Sequence, residues 1–119
     1  MNISIKTTNM ELTPALRDYT EKRLANITKY TGGDAAIDTE IGKSTEHHKQ
    51  GEVFFAEVNV VTPLGKQHYA RSEKTDLYEA IDDVRNEIIA GLSKEKGKRQ
   101  TLFKRGAQRI KNILRGFRS

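Results

Sequence analysis

Three histidines, two adjacent aspartates and a dense set of lysines and arginines are the residues whose types and spacing invite chemistry. His47 and His48 fall in "EHHKQGE", which reads as a turn, and His68 falls in "KQHYARS", which reads as a strand. A zinc-type site needs three or four converging ligands, and the chain has no cysteine. Its carboxylates stand at no ligand-like spacing from the histidines, so no metal is expected. Asp82, Asp83 and Glu79 fall in the early turns of a helix, where negative charge favours the dipole. Capping and solubility account for them better than acid–base catalysis. No serine is placed with a histidine and an acid for nucleophilic attack. "TGGD" and "TPLGK" are turns outside the strand-to-helix context of a phosphate loop. The residues predict no enzyme, no cofactor and no small-molecule substrate.

The basic residues are another matter, because their charge is sorted along the chain. From Lys94 onward there are ten Lys/Arg against one acid, Glu95, a net +9 in 26 residues. The first 93 residues hold eleven bases and fifteen acids, a net −4, which together give the overall +5. Lys94 and Lys98 are neighbours one helical turn apart, with Lys96 and Arg99 splayed to either side. Lys104, Arg105, Arg109, Lys111, Arg115 and Arg118 follow. A few lysines at a helix end would be ordinary solvated surface favoured by the dipole. Ten in so short a stretch point to a polyanion, since each phosphate contact releases counterions without any need to read bases. Aromatic interleaving is sparse (Phe103, Phe117 and an outward Tyr69), so shape and backbone recognition of folded RNA suits these residue types better than stacking.

The elements that must carry this charge can be placed from periodicity. "NISIKTT" alternates at Ile3 and Ile5 as a short strand. A helix follows over "LTPALRDYTEKRLANITKYTGG", with Thr13 as N-cap, Pro14 at its first position and Gly32-Gly33 as its stop. Its apolar stripe is Leu16, Leu24 and Ile27, with Tyr19 and Tyr30 beside it. Three strands joined by short turns come next: Ile37, Thr39 and Ile41 alternate in the first, Phe54, Ala56, Val58 and Val60 in the second, and Ala70 points inward in the third. The second helix starts at an Asp76 cap and carries Leu77, Ile81, Val84, Ile88 and Leu92 as a core stripe, with Gly91 and Gly97 weakening its end.

The order β-α-β-β-β-α predicts an α+β fold: a four-stranded sheet with both helices on one face and the first two strands parallel. Residues 1–98 form the expected domain. Residues 99–119 form a basic amphipathic tail, with Phe103, Ala107, Ile110, Leu114 and Phe117 on one stripe. Gly106 and Gly116 make it a poor helix in isolation, so it is expected to order against a partner. Composition fits a soluble cytoplasmic chain: no disulfide framework, no basic-then-apolar leader in "MNISIKTTNM", and no apolar run longer than "VFFA". No membrane partner is expected.

"MELTPALRDYTEKRLANITKY", "VNVVTPLGK" and "DLYEAID" with its trailing lysines resemble the ribosome hibernation-promoting factors and ribosome-associated inhibitors, also called sigma-54 modulation proteins. The resemblance covers about residues 1–98. It implies a domain similar in outline to double-stranded-RNA-binding domains, partnered with the small ribosomal subunit, its ribosomal RNA and the 70S ribosome. There it would occupy the channel of messenger and transfer RNA, inhibit translation and preserve idle ribosomes under stress or in stationary phase. Family basic positions look matched by Arg17, Arg23 and Lys29 on the first helix and by Lys94, Lys96 and Lys98 on the second. The chain departs from the family pattern at Glu87, Ala90, Gly91 and Asn26, where basic or polar residues are usual. The tail also departs, and Lys104 to Arg118 is expected to restore the missing charge. Two other functions stay open on the residues alone: a general RNA- or DNA-binding regulatory module without ribosome preference, and a tail that docks on an anionic membrane or protein groove.

Overall fold

Thr13 and Pro14 begin the first helix as their chemistry dictates. The computed structural model describes residues 2–44 and 51–116, with side chains described through Glu95 in the last helix. In it Thr13 is extended, its hydroxyl accepts from Leu16 N at 3.2 Å, and Pro14 takes the first helical position of α1 (Pro14–Ala25). Residues Asn26–Tyr30 tighten into a 3-10 turn, so the regular helix is shorter than its apolar stripe suggests. Threonine hydroxyls explain the change. Thr28 Oγ1 donates to Ala25 O at 2.7 Å and Thr31 Oγ1 to Thr28 O at 3.1 Å, taking carbonyls at the end of the helix. Gly32, at φ +75°, then reverses the chain as only glycine does without strain.

The strands are β1 (Asn2–Thr8), β2 (Ala36–Ser44), β3 (Val53–Val61) and β4 (Gln67–Lys74), in the spatial order β1-β2-β3-β4. β1 and β2 run parallel, joined through α1, and the other neighbours are antiparallel. Register sets the inner face: Ile5 stands opposite Thr39, Thr39 opposite Val58 and Val58 opposite Ala70. The flanking row runs Ile3, Ile37, Val60, His68. Ile37, Ile41, Ala56, Val58, Val60 and Ala70 are buried there, as alternation predicts. The turn expected at "EHHKQGE", with His47 and His48, lies outside the described residues apart from its last two positions.

Both helices cover that face. Asp76 caps α2 (Leu77–Gly116): its carboxylate accepts from Tyr78 N at 2.9 Å and its carbonyl from Ala80 N at 3.1 Å. Leu77, Ile81, Val84, Ile88 and Leu92 are all buried, each contributing roughly 1.5–3 kcal/mol of apolar transfer energy. α2 does not stop at Gly97. Its backbone stays helical for 40 residues, about 60 Å at 1.5 Å per residue, and sets the long axis of a molecule measuring 74 × 30 × 18 Å. The single-glycine cost at Gly91 and Gly97 is about 1 kcal/mol each, too small to break a helix of this length anchored over its first four turns. The basic segment from residue 99 to 116 therefore continues α2 in backbone conformation.

Candidate nucleic-acid interface

The positive charge of the chain is not spread evenly over the domain. The open face of the sheet carries Asp38, Glu40, Glu57 and Glu73 against Lys6 and Arg71. Arg71 is fully engaged there: it reaches Glu73 at 3.1 Å and Glu57 at 3.5 Å, and its guanidinium lies 4.6 Å from the centre of the Phe55 ring. The bond to Glu73 raises its pKa further. Tyr69, the aromatic residue expected on this face, is well exposed, but its hydroxyl donates to Glu57 at 2.6 Å. That bond, with burial and the Glu57 charge, raises the phenol's pKa above its ordinary value. A phosphate backbone laid on this surface would meet carboxylates.

On the helix side bases and acids are nearly balanced through Glu95, with Arg17, Lys22, Arg23, Lys29, Arg85 and Lys94 against Asp18, Glu21, Glu79, Asp82, Asp83, Glu87 and Glu95, and the excess of cations begins beyond that residue. Arg17 pairs with Glu21 at 3.7 Å and Lys22 with Asp18 at 3.0 Å, each one turn apart on α1. All four side chains are about half exposed or more, so these pairs are weak and open readily toward a stronger anion. Arg23 sits six residues from Arg17, about 120° around the helix, and turns toward α2. There it stands 3.4 Å from Asp82 and 5.1 Å from the centre of the Tyr19 ring. Tyr19 donates to the same Asp82 carboxylate at 2.9 Å, and burial with this bond raises its pKa. Lys29 is exposed on the 3-10 turn. Arg17, Arg23 and Lys29 thus share the helix layer but not a single line.

Asp82 and Asp83 turn out to be more than helix-dipole partners. Asp82 ties α1 to α2 through Tyr19 and Arg23, and Asp83 accepts from Ser72 Oγ at 2.6 Å, tying α2 to β4. Their sequence position in an amphipathic helix gives no sign of these partners.

Where α2 leaves the sheet, Lys66, Gln67, His68, Gly91, Lys94 and Glu95 line a cleft. Lys94 is exposed at its edge. Lys66, in the "TPLGK" turn, adds a cation to this rim that sequence reasoning missed, since a lone turn lysine carries no pattern. Glu95 bridges Lys66 at 3.5 Å and His68 at 2.6 Å. Further out, Lys96, Lys98, Arg99, Lys104, Arg105, Arg109, Lys111 and Arg115 lie on the helical continuation, with side chains outside the described residues. Glu87 and Ala90, two of the four departures noted above, are exposed, so the middle of α2 presents no cation at those positions. Among the described residues no group of three or more His, Asp or Glu converges as a metal site, and no helix is long and apolar enough to cross a membrane.

A mixed sheet with one open, acid-bearing face, covered on the other by two cation-bearing helices, defines a two-layer α+β domain. The chain belongs to the family described as Sigma 54 modulation protein / S30EA ribosomal protein, whose model matches residues 3–100. It is 29% identical over 106 residues to the ribosome hibernation promotion factor of Bacillus subtilis, covering 87% of this chain and 53% of that protein. The chain therefore spans about half the length of that relative. It is also 29% identical over 113 residues to ribosome-associated factor Y of Haemophilus influenzae, covering 94% of this chain and 96% of the other. Among solved structures it is similar to the N-terminal domain of Protein Y from Thermus thermophilus, with a TM-score of 0.63 and 32% identity over 79% of this chain and 98% of that one.

Proposed function

We propose that this chain is a ribosome hibernation factor: it binds the small ribosomal subunit in the channel used by messenger and transfer RNA, and it stops translation by occupying that space. Occlusion needs no bond chemistry, so the factor acts without catalysis or a cofactor. Its setting is the cytoplasm of cells under stress or in stationary phase, where idle ribosomes are preserved. Family membership and the names of its relatives support the ribosomal partner. The observation that carries the surface is the sorting of charge along the chain, with nine bases and no acid from Lys96 onward, on and beyond the outgoing part of α2, and a net acidic open sheet.

Arg17, Arg23 and Lys29 on the α1 side, with Lys94, Lys96, Lys98 and Arg99 at the root of the extension, are the proposed contacts to ribosomal RNA. Residues 99–119, with Lys104, Arg105, Arg109, Lys111 and Arg115, act as a basic extension of the domain. They replace charge missing at Glu87 and Ala90 and follow the RNA away from it. Sedimenting extracts of starved cells through sucrose tests the partner. Co-migration of the chain with 30S and 70S particles supports the proposal. A chain found only at the top of the gradient, or with other RNA, contradicts it and favours a general nucleic-acid-binding module.

A further inference from the structure

At the start of α2, about 24 Å along the helix from the Lys66–Lys94 cleft, there is a cleft of a different character. Ala15, Asp18, Tyr19, Lys22, Arg23, Asn26 and Tyr78 line an open space of about 550 Å³ between α1 and the start of α2. Two tyrosines form its corner: the Tyr19 and Tyr78 rings have centroids 4.7 Å apart and planes 86° apart. Tyr78 is 45% exposed beyond its contact with Tyr19, so part of its ring is open to a guest.

We propose that this corner takes an unstacked base of single-stranded RNA, lying on one tyrosine ring and meeting the other edge-on. Perpendicular rings give a planar guest one face to stack on and one wall to abut, as aromatic platforms do for splayed-out bases. The volume suits one or two bases rather than a helix segment. The polar lining can address both parts of a nucleotide. Asn26 offers an amide donor and acceptor for a base edge, and Lys22 and Arg23 have N–H donors beyond those engaged by Asp18 and Asp82. The charged lining is two cations, Lys22 and Arg23, against one acid, Asp18, so the cleft is not an acidic trap for a cationic side chain. Burial and the bond to Asp82 fix Tyr19, while Asp76 fixes the backbone of Tyr78, so the corner is formed before any guest arrives.

The test uses the full chain, a single-stranded oligoadenylate of about a dozen nucleotides and an RNA duplex of the same length. There are four tyrosines and no tryptophan, so intrinsic emission reports tyrosine alone, and ring resonances separate Tyr19 and Tyr78 from Tyr30 and Tyr69. The expected result is quenched emission and shifted Tyr19 and Tyr78 resonances with the single strand but not the duplex. Tyr78→Leu should weaken single-strand binding about tenfold with an unchanged salt slope, and Tyr78→Phe should bind like the parent. Unmoved ring resonances, or equal affinity for Tyr78→Leu, overturn the proposal. So does a response to an arginine-rich peptide and none to oligoadenylate, which would assign the corner to a cationic side chain. None of these readouts involves ribosomes, so this inference and the ribosomal proposal fail separately.

Discussion

The Nε2 of His68 lies 2.6 Å from a carboxylate oxygen of Glu95, joining β4 to α2 within one turn of the buried Leu92. Gly91 leaves room for the imidazole: a Cβ there would stand 3.4 Å from its Nδ1. Both partners are largely shielded, and Lys66 approaches Glu95 from the β3–β4 turn. The helix is therefore pinned to the sheet at the point where the basic stretch begins. Glu95→Ala should cost about 1–2 kcal/mol in chemical denaturation and speed amide exchange around residues 91–97. An unchanged denaturation midpoint and unchanged exchange would show that the tie is idle.

Gly42 makes a sharper prediction. It lies buried in β2 beside Thr8, and a Cβ placed there would fall 2.1 Å from the Thr8 carbonyl oxygen. Backbone cannot retreat as a flexible side chain would, so Gly42→Ala must push β1 away from β2. A loss of roughly 2–3 kcal/mol is expected, read as a lowered melting temperature. A variant as stable as the parent would mean that the two strands are not so close.

Thr39 sits in the middle of the inner face, and its hydroxyl has no hydrogen-bond partner among the described residues. Its dehydration is uncompensated by any protein group described here. Thr39→Val keeps the shape and removes that cost, so it should stabilise the fold by about 1 kcal/mol or more. Calorimetry showing destabilisation would reveal a partner for the hydroxyl.

Tyr19 and Tyr69 both have raised pKa values, the first chiefly from burial and the second chiefly from its bond to Glu57. The folded chain thus holds phenolic protons that the unfolded chain releases near pH 10. With more protons bound when folded, stability must fall as pH rises through the folded-state values. The effect is fully present below pH 10 and is lost above it. Titration of the phenolates followed by ring resonances should show Tyr19 and Tyr69 ionising late, and Tyr19→Phe should lessen the alkaline loss. Tyr19 and Tyr69 ionising at the ordinary value would contradict both contacts.

Much of this architecture is legible in the sequence because burial follows strict periods. Ile37, Thr39 and Ile41 alternate, and Leu77 to Leu92 steps by threes and fours, so strand faces and helix stripe are fixed before any contact is known. Residues whose burial depends on a partner escape that logic. Thr20 is fully buried because its hydroxyl returns to Leu16 O at 2.7 Å, and Phe55 is buried on the open face beneath Arg71. Tertiary contacts also decided the roles of Asp82 and Asp83, which local chemistry placed merely at a helix start. The candidate interface was legible as a quantity of charge. That the excess of charge sits on a continuation of α2 rather than in a separate tail was not legible, because Gly97 and Gly106 read as breaks while the backbone stays helical through Gly116.

The central claim is that cations along α2 hold the chain on ribosomal RNA. Binding of the purified chain to purified 30S subunits across ionic strength tests it most directly. With about six phosphates engaged, affinity should fall on the order of a thousandfold between 50 and 200 mM salt. Lys94→Glu with Lys98→Glu should weaken binding and flatten the slope, and removal of residues 101–119 should flatten it further. Tight binding indifferent to salt and to both changes would contradict the claim.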